Sequence, residues 1–304
     1  MNNIKPTIVI FGCTGTVGTE VMRLLQHQNC NTRGVLRSPE RPYPIPASAY
    51  PSNITYISAN LLDKEQLRNA CFGANAVFLL TATSPQQVEY EINIIDAAKY
   101  CGVKRIVKLS APIVQSSAHV EVSQWHHQID NYLIEQMDEY CCLRPHSFMQ
   151  NWERNTFTIQ HFGKIYGALG TSKRNYVDCR DVATVAVHYL LTQEEVNVLS
   201  ITLAGPQAIS NQEMATKLSL ATNRTIEYID ITAEELFKQL TKRANLPTWL
   251  ANHIVELDNL AIQVPEPKTD NITALIGEKP RTMDEYLQEN RHLFKRKPLY
   301  KMLF

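Results

Sequence analysis

Short apolar runs rich in valine, isoleucine and leucine alternate along this chain with stretches whose apolar residues recur every three or four positions. The runs Thr7–Phe11, Thr32–Leu36, Ile54–Ser58, Ala76–Leu80, Arg105–Leu109 and Tyr140–Leu143 read as strands. A continuous run such as AVFLL suits a strand buried on both faces, as in a parallel sheet covered by helices. Between the runs, Val17, Val21, Leu24, Leu25 and Gln28 trace one face of a first helix. Val88, Ile92, Ile95 and Ala98 trace one face of a later helix. That later helix is expected to start with Ser84 as N-cap, Pro85 in the first turn and Gln87 three residues after the cap. Asp63 with Gln66 makes a similar start. Strand–helix alternation on this scale predicts a doubly wound parallel α/β domain.

The pattern breaks twice. RSPERPYPIPASAYPSN carries five prolines and reads as a surface loop between the second and third strands. Beyond Arg144, HFGKIYGALGTSKRNY reads as irregular, CRDVATVAVHYLL as a helix and VLSITLAG as a strand with a turn. Three capping boxes follow: Ser210 with Glu213, Thr232 with Glu235 and Thr282 with Glu285. The expected division is a first domain over residues 1–155, to which 176–205 returns. Residues 156–175 and 206–304 then form a smaller, mostly helical region that closes over the sheet edge.

Composition narrows the function classes. The chain has 304 residues, 44% of them hydrophobic, enough for a sizeable core. Lys+Arg and Asp+Glu both number 30, a balance that attracts neither nucleic acid nor an anionic membrane. No apolar run approaches the roughly 18 residues of a membrane span. MNNIKPTIVIFG enters a strand pattern directly, without a signal-peptide pattern, and this favours a cytoplasmic protein. The seven cysteines include no C-x-x-C and read as reduced, mostly buried thiols, with Cys141 and Cys142 facing opposite ways on a strand. A redox-sensing cysteine is the rival reading.

Gly12, Gly15 and Gly18 form G-x-x-G-x-x-G between the first strand and the first helix. In such a turn the first glycine permits the sharp bend, the second lets backbone approach a pyrophosphate, and the third lets helix pack on strand. The helix N-terminus then offers N–H groups and a positive dipole end to phosphate. Thr14, Thr16 and Val17 complete the turn. The rival reading is a tight turn with no ligand. An NAD site places an acid at the end of the second strand to hold the ribose 2′-hydroxyl. Here Arg37 takes that place, followed by Ser38, and the first acid after them is Glu40. A guanidinium can grip a 2′-phosphate that a carboxylate would repel, so Arg37 favours NADP(H). Arg37 as a solvated charge at a strand end is the alternative.

With this turn, VLRSPER, LLDKEQLRNACFGANAVFLLTA, YCGVKRIVKLSA, WHHQIDNYL, CLRPHSFMQNW, YVDCRDVA and LAGPQAIS in order, the chain resembles the NmrA-like branch of the atypical short-chain dehydrogenases/reductases. The resemblance implies a Rossmann-type sheet with Thr81, Ala82 and Thr83 and the segment Leu109–Ala111 flanking a nicotinamide. It also implies that Leu143–Asn151, with Phe148, leads toward the substrate. Many relatives have GDLLD after the third strand where this chain has ANLLD, so Asn60 replaces an acid beside Leu61 near the adenine.

The usual Tyr-x-x-x-Lys pair is missing from the helix after the fifth strand. Its one match, Tyr100 to Lys104, falls before that strand and reads as chance. His126 stands where relatives often carry lysine, with Asp130 one turn later. As i, i+4 neighbours they are expected to pair, orienting the imidazole and raising its pKa, so that reduction would slow as pH rises through it. The alternative is that His126 only bonds the ribose or stabilises the helix. Ser110 is a candidate substrate-orienting hydroxyl. No ligand spacing supports a metal site among His119, His126, His127 and His146. The leading expectation is an NADPH-dependent reductase acting on C=O, C=N, quinone or enone bonds of a small molecule, with no direct nucleic-acid or membrane partner. Its rivals are a non-catalytic NADP(H) sensor and a non-redox cyclase or isomerase. Monomer and homodimer both stay open.

Overall fold

The computed structural model describes residues 5–37, 51–112, 120–266 and 269–296. In chain order the first half runs β1 (Thr7–Phe11), α1 (Thr16–Leu25), β2 (Asn31–Leu36), β3 (Ile54–Ser58), α2 (Lys64–Cys71), β4 (Ala76–Leu79), α3 (Gln87–Tyr100), β5 (Arg105–Leu109), α4 (Glu121–Gln136) and β6 (Glu139–Pro145). The second half adds β7 (Ser147–Phe148), α5 (Thr156–Phe162), β8 (Lys164–Gly167), β9 (Lys173–Val177), α6 (Cys179–Leu191), β10 (Asn197–Leu203), β11 (Ala208–Ser210), α7 (Asn211–Thr222) and β12 (Glu227–Asp230). It ends with α8 (Ala233–Lys242), α9 (Thr248–Gln263), α10 (Asn271–Ile276), α11 (Met283–Glu289) and α12 (Arg291–Phe294).

Seven strands form one sheet in the order β10-β6-β5-β4-β1-β2-β3, and every pairing in it is parallel. Strand alternation sends Ile8, Ile10 and Cys141 into a core under α1 and α6, and Val9, Phe11 and Cys142 into a core under α2, α3 and α4. Cys141 and Cys142 thus face opposite ways, as their adjacency on a strand requires. A third core joins Met149, Trp152, Tyr176, Met214 and Tyr286 around the smaller sheets β11-β9-β7 and β12-β8. Phe78 on central β4 is fully buried, and losing such a ring typically costs about 3–5 kcal/mol.

Asp63 caps α2 through Glu65 and Gln66, and all three capping boxes close reciprocally. Four local expectations are corrected. α3 begins at Gln87 rather than behind Ser84, whose carbonyl merely accepts the Gln87 N–H. The buried face of α3 includes Gln87 and Glu91 beside Ile94, Ile95 and Ala98, so polar residues hide part of its inward stripe. Gln28 lies past the end of α1 and is exposed. The segment read as irregular after Arg144 contains β8 and β9.

Burial pushes the Cys13 and Cys71 thiols up to about 12, so neither is a thiolate at neutral pH. Among the described residues, no helix is long and apolar enough to cross a membrane.

Candidate functional site

The sheet order reverses between β1 and β4, and in open α/β sheets the crevice at the carboxyl ends of such strands is the natural ligand site. The glycine turn lies there. Gly12 has φ +71°, and a Cβ on it would sit 2.5 Å from the Leu80 carbonyl oxygen, so β1 leaves the sheet pressed against the end of β4. A Cβ on Gly18 would overlap the Gly12 carbonyl, which explains the close seat of α1 on its own strand. Gly15 is different. It is the N-cap of α1 and is exposed, and among the described residues a Cβ on it would meet only the Gly12 carbonyl oxygen, at 3.3 Å. The first turn of α1 carries no acid, so its dipole end is left positive. Thr14 and Thr16 are exposed on the turn, while the Val17 side chain belongs to the core and leaves only backbone for a ligand. This is a cradle suited to a pyrophosphate.

Arg37 is exposed at the end of β2, and Ser38 and the rest of the proline-rich segment to residue 50 lie outside the described residues. Asn60 is turned toward local structure: its N–H donates to Gln66 Oε1 at 2.9 Å, and its Oδ1 accepts from Leu62 N–H at 3.0 Å. The carbonyl of buried Leu61 accepts from Asn93 at 3.1 Å.

A cavity of about 560 Å³ opens above the ends of β4, β5 and β6. Its sheet side presents Thr81, Thr83, Leu109, Ser110, His126 and Phe148. Ala82, between the two threonines, is exposed. The opposite wall comes from Trp152, Tyr166 and the α8–α9 pair, with Leu236, Leu250, Ile254 and Leu257. The far end is polar. Arg174 is paired with Asp258 at 3.0 Å and Glu266 at 3.5 Å, and His146 Nδ1 lies 3.4 Å from Glu266. Burial, reinforced by Arg174, pushes His253 down to about 4.

Behind the sheet side of the cavity lies a buried ionic network that sequence reasoning missed. Lys108, near the C-terminal end of β5, is fully buried. Its Nζ lies 2.9 Å from His126 Nδ1, 3.1 Å from Asp130 and 3.6 Å from Glu91. Thr81 Oγ1 donates to Glu91 at 2.8 Å, and Gln87 Nε2 donates to the same oxygen at 3.0 Å. Ser110 Oγ donates to Asp130 at 2.9 Å and 3.0 Å, and Arg144 reaches Asp130 at 2.9 Å. The signal was present in RIVKL: a lysine inside a strand buried on both faces must be paired.

This network overturns the expected His126–Asp130 pair. Asp130 serves Ser110, Lys108 and Arg144 instead, and the imidazole meets a cation. His126 is therefore held well below its ordinary pKa, first by burial and then by Lys108, His253 and Arg144. It is neutral at neutral pH. Burial alone would push Lys108 down, but the Glu91 and Asp130 carboxylates outweigh it and its pKa is raised. The other histidines scatter: His127 lies 3.3 Å from Asn131, His146 turns to Glu266, and His119 is outside the described residues. Tyr100 is exposed with Arg68 over its ring, and Lys104 pairs with Glu139 at 2.8 Å. Both sit at the N-terminal edge of β5, away from the cavity.

Known proteins resemble this chain along nearly its full length. The NAD(P)H azoreductase of Xenophilus azovorans is 29% identical over 290 residues, covering 94% of this chain and 99% of the relative. The NADPH-dependent quinone oxidoreductase of Escherichia coli, solved with NADPH, has the same fold at a TM-score of 0.82 and 22% identity, covering 93% of this chain and 99% of that one. The triphenylmethane reductase of Citrobacter sp., solved with NADP(H), superposes at a TM-score of 0.79 with 18% identity, covering 93% and 99%. The NmrA-like family model matches residues 4–287, and this chain belongs to the NmrA-like family.

Proposed function

We propose that this protein is an NAD(P)H-dependent oxidoreductase, preferring NADPH, that reduces a polarised C=O, C=N, quinone or enone bond of a small and largely apolar molecule. The observation that carries the reading is the cavity: an apolar chamber opens on the carboxyl ends of β4 and β5 beside a buried, neutral histidine. Relatives and fold neighbours named as azo, quinone and dye reductases support it.

In this reading the Gly12–Gly18 turn and the α1 N-terminus hold the pyrophosphate, and Thr14, Thr16 and the Val17 backbone line it. Asn60 and Leu61 lie at the adenine, and Arg37 with Ser38 takes the 2′-phosphate. Thr81–Thr83, Leu109 and Phe148 frame the nicotinamide, which supplies a hydride when bound. The protein supplies orientation and a donor for the charge that appears on the acceptor. With Lys108 donating to Nδ1, neutral His126 carries its proton on Nε2 and, keeping it, hydrogen-bonds the developing anion, which takes its own proton from water. Ser110 plays the complementary part. Its proton is committed to Asp130, so its oxygen accepts from an N–H or O–H of the ligand.

The test is NADPH oxidation against a panel of quinones, azo compounds, enones and imines, with calorimetry for NADPH and NADH. Acceptor-dependent oxidation with tighter NADPH binding is expected. Cofactor binding with no turnover across the panel would sink the reading.

A further inference from the structure

We infer that Lys108 is a positioning residue for the proposed reduction: it never meets substrate, yet from behind the cavity wall it fixes His126 as the Nε2–H tautomer and sets the orientation of Thr81 and Ser110. This rests on the reductase reading for its catalytic meaning, but its structural content is independent of that reading.

Lys108 has no exposed surface, whereas Thr81, Ser110 and His126 all line the cavity. Each of these three polar groups is tied to Lys108 directly or through one carboxylate. His126 meets Nζ itself at 2.9 Å. Thr81 reaches it through Glu91, and Ser110 through Asp130. One ammonium thus holds three cavity groups, which lie just beyond β4, just beyond β5 and on α4.

The chemistry of the contact determines the tautomer. An ammonium is all donor, so an imidazole nitrogen 2.9 Å away must accept. Nδ1 is then bare and the single proton of the neutral ring sits on Nε2. Protonating the ring would force two donors together at 2.9 Å. Burial raises the pKa of Glu91, and the surrounding groups leave no excess negative charge to receive a proton on the ring. Lys108 from β5 and Arg144 from β6 stand against Glu91 from α3 and Asp130 from α4, and His253 from α9 is itself neutral at neutral pH. A charged His126 would leave this cluster with a net positive charge. Lys108 also keeps its own proton, because its two carboxylates hold it. It therefore polarises the ring without passing a proton through it, and the Nε2–H becomes a stronger donor toward an anion. A neutral histidine in this role needs no titration in the working range of pH.

The experiment is nitrogen-15 NMR on the full-length protein labelled at histidine, with the His126 signals assigned by their loss in His126→Gln. In the wild type, His126 is expected to be the Nε2–H tautomer and not to titrate between about pH 5.5 and 8. In Lys108→Met, both tautomers should appear and the ring should titrate nearer its ordinary value of about 6.5. Steady-state kinetics should then show kcat lowered by about tenfold, a share of the effect of a whole acid–base group. A dependence on pH absent from the wild type should appear, while KM for NADPH changes little.

An Nδ1–H or charged His126 in the wild type would overturn the inference whether or not the variant folds. So would a Lys108→Met protein whose tautomer and pH profile match the wild type. If the tautomer behaves as expected but no acceptor is turned over, the reductase reading fails and the positioning role stands. If turnover is found but Lys108→Met leaves His126 unchanged, the positioning role alone fails.

Discussion

Two buried cations lie three positions apart on β5, and they do different things. Arg105, at the strand's start, spends all of its donors on fixed partners. Its Nε and one Nη take Glu139, and the remaining N–H groups take the carbonyls of Tyr189, Thr192 and Glu194. Every partner belongs to the scaffold, and the bonds lock β5 to β6 and to the end of α6. Lys108, near the strand's other end, meets one cavity-lining group directly, a titratable ring, and two more through its carboxylate partners. A planar guanidinium with five donors suits saturation by a rigid frame. An ammonium at the hub of polar groups is a way of aiming them. Burial alone does not separate a structural charge from a functional one; where the partners' far sides point does.

The largest effect separating the two should come from Arg105→Met. Removing Arg105 leaves Glu139 to Lys104 alone and takes the donor from the carbonyls of Tyr189, Thr192 and Glu194, and breaking a buried pair costs about 3–5 kcal/mol. Denaturant melts should show that fall, while the protein that remains folded should keep its pH–rate profile. A changed profile with intact stability would dissolve the contrast.

Next in size is His126→Ala. Turnover should drop by about 10²-fold, in the range for a lost donor group, with NADPH affinity nearly unchanged by calorimetry. Full turnover would make the histidine structural and move the donor to Tyr166 or water. Loss of NADPH binding would instead make it a ribose ligand.

Arg37→Ala lies far from both cations and should leave stability alone. A charge-assisted contact is worth roughly 1.5–3 kcal/mol, so most of the preference for NADPH over NADH should disappear. Equal binding of the two cofactors by the unmutated protein would refute the role of Arg37.

The smallest effect concerns pH. A neutral His126 removes the expected slowing of reduction as pH rises through 6.5, so kcat should stay level there. Stability carries the complementary signature. His126 and His253 both have folded pKa values below the unfolded one, so unfolded chains bind protons that the native protein refuses. Stability is therefore complete above about pH 6.5 and is lost as pH falls below it. His126→Gln should flatten part of that slope in urea melts. A slope identical to the wild type would mean that His126 is charged in the folded protein.

The strands of the parallel sheet and the glycine turn were legible in the chain because they depend on local rules. Buried strands need continuous apolar runs, and a sharp strand-to-helix bend needs glycine where φ is positive or backbone meets backbone. Caps are equally local, and four of the five expected starts closed as written, each on a side chain three residues away. Ser84 failed as a cap where Gln87 turns inward to Glu91 one turn on, whose carboxylate faces Lys108 from β5. The same cause hid the site. His126 and Asp130 are one turn apart, and spacing alone pairs them. The fold inserts Lys108 from a neighbouring strand, and an ammonium takes both the lone pair of one and the carboxylate of the other. Local sequence determined which segments form strands and helices and where the backbone can bend. Tertiary structure decided the charge state of the histidine, because that depends on burial and on cations brought by β5 and β6, whose positions no local spacing encodes.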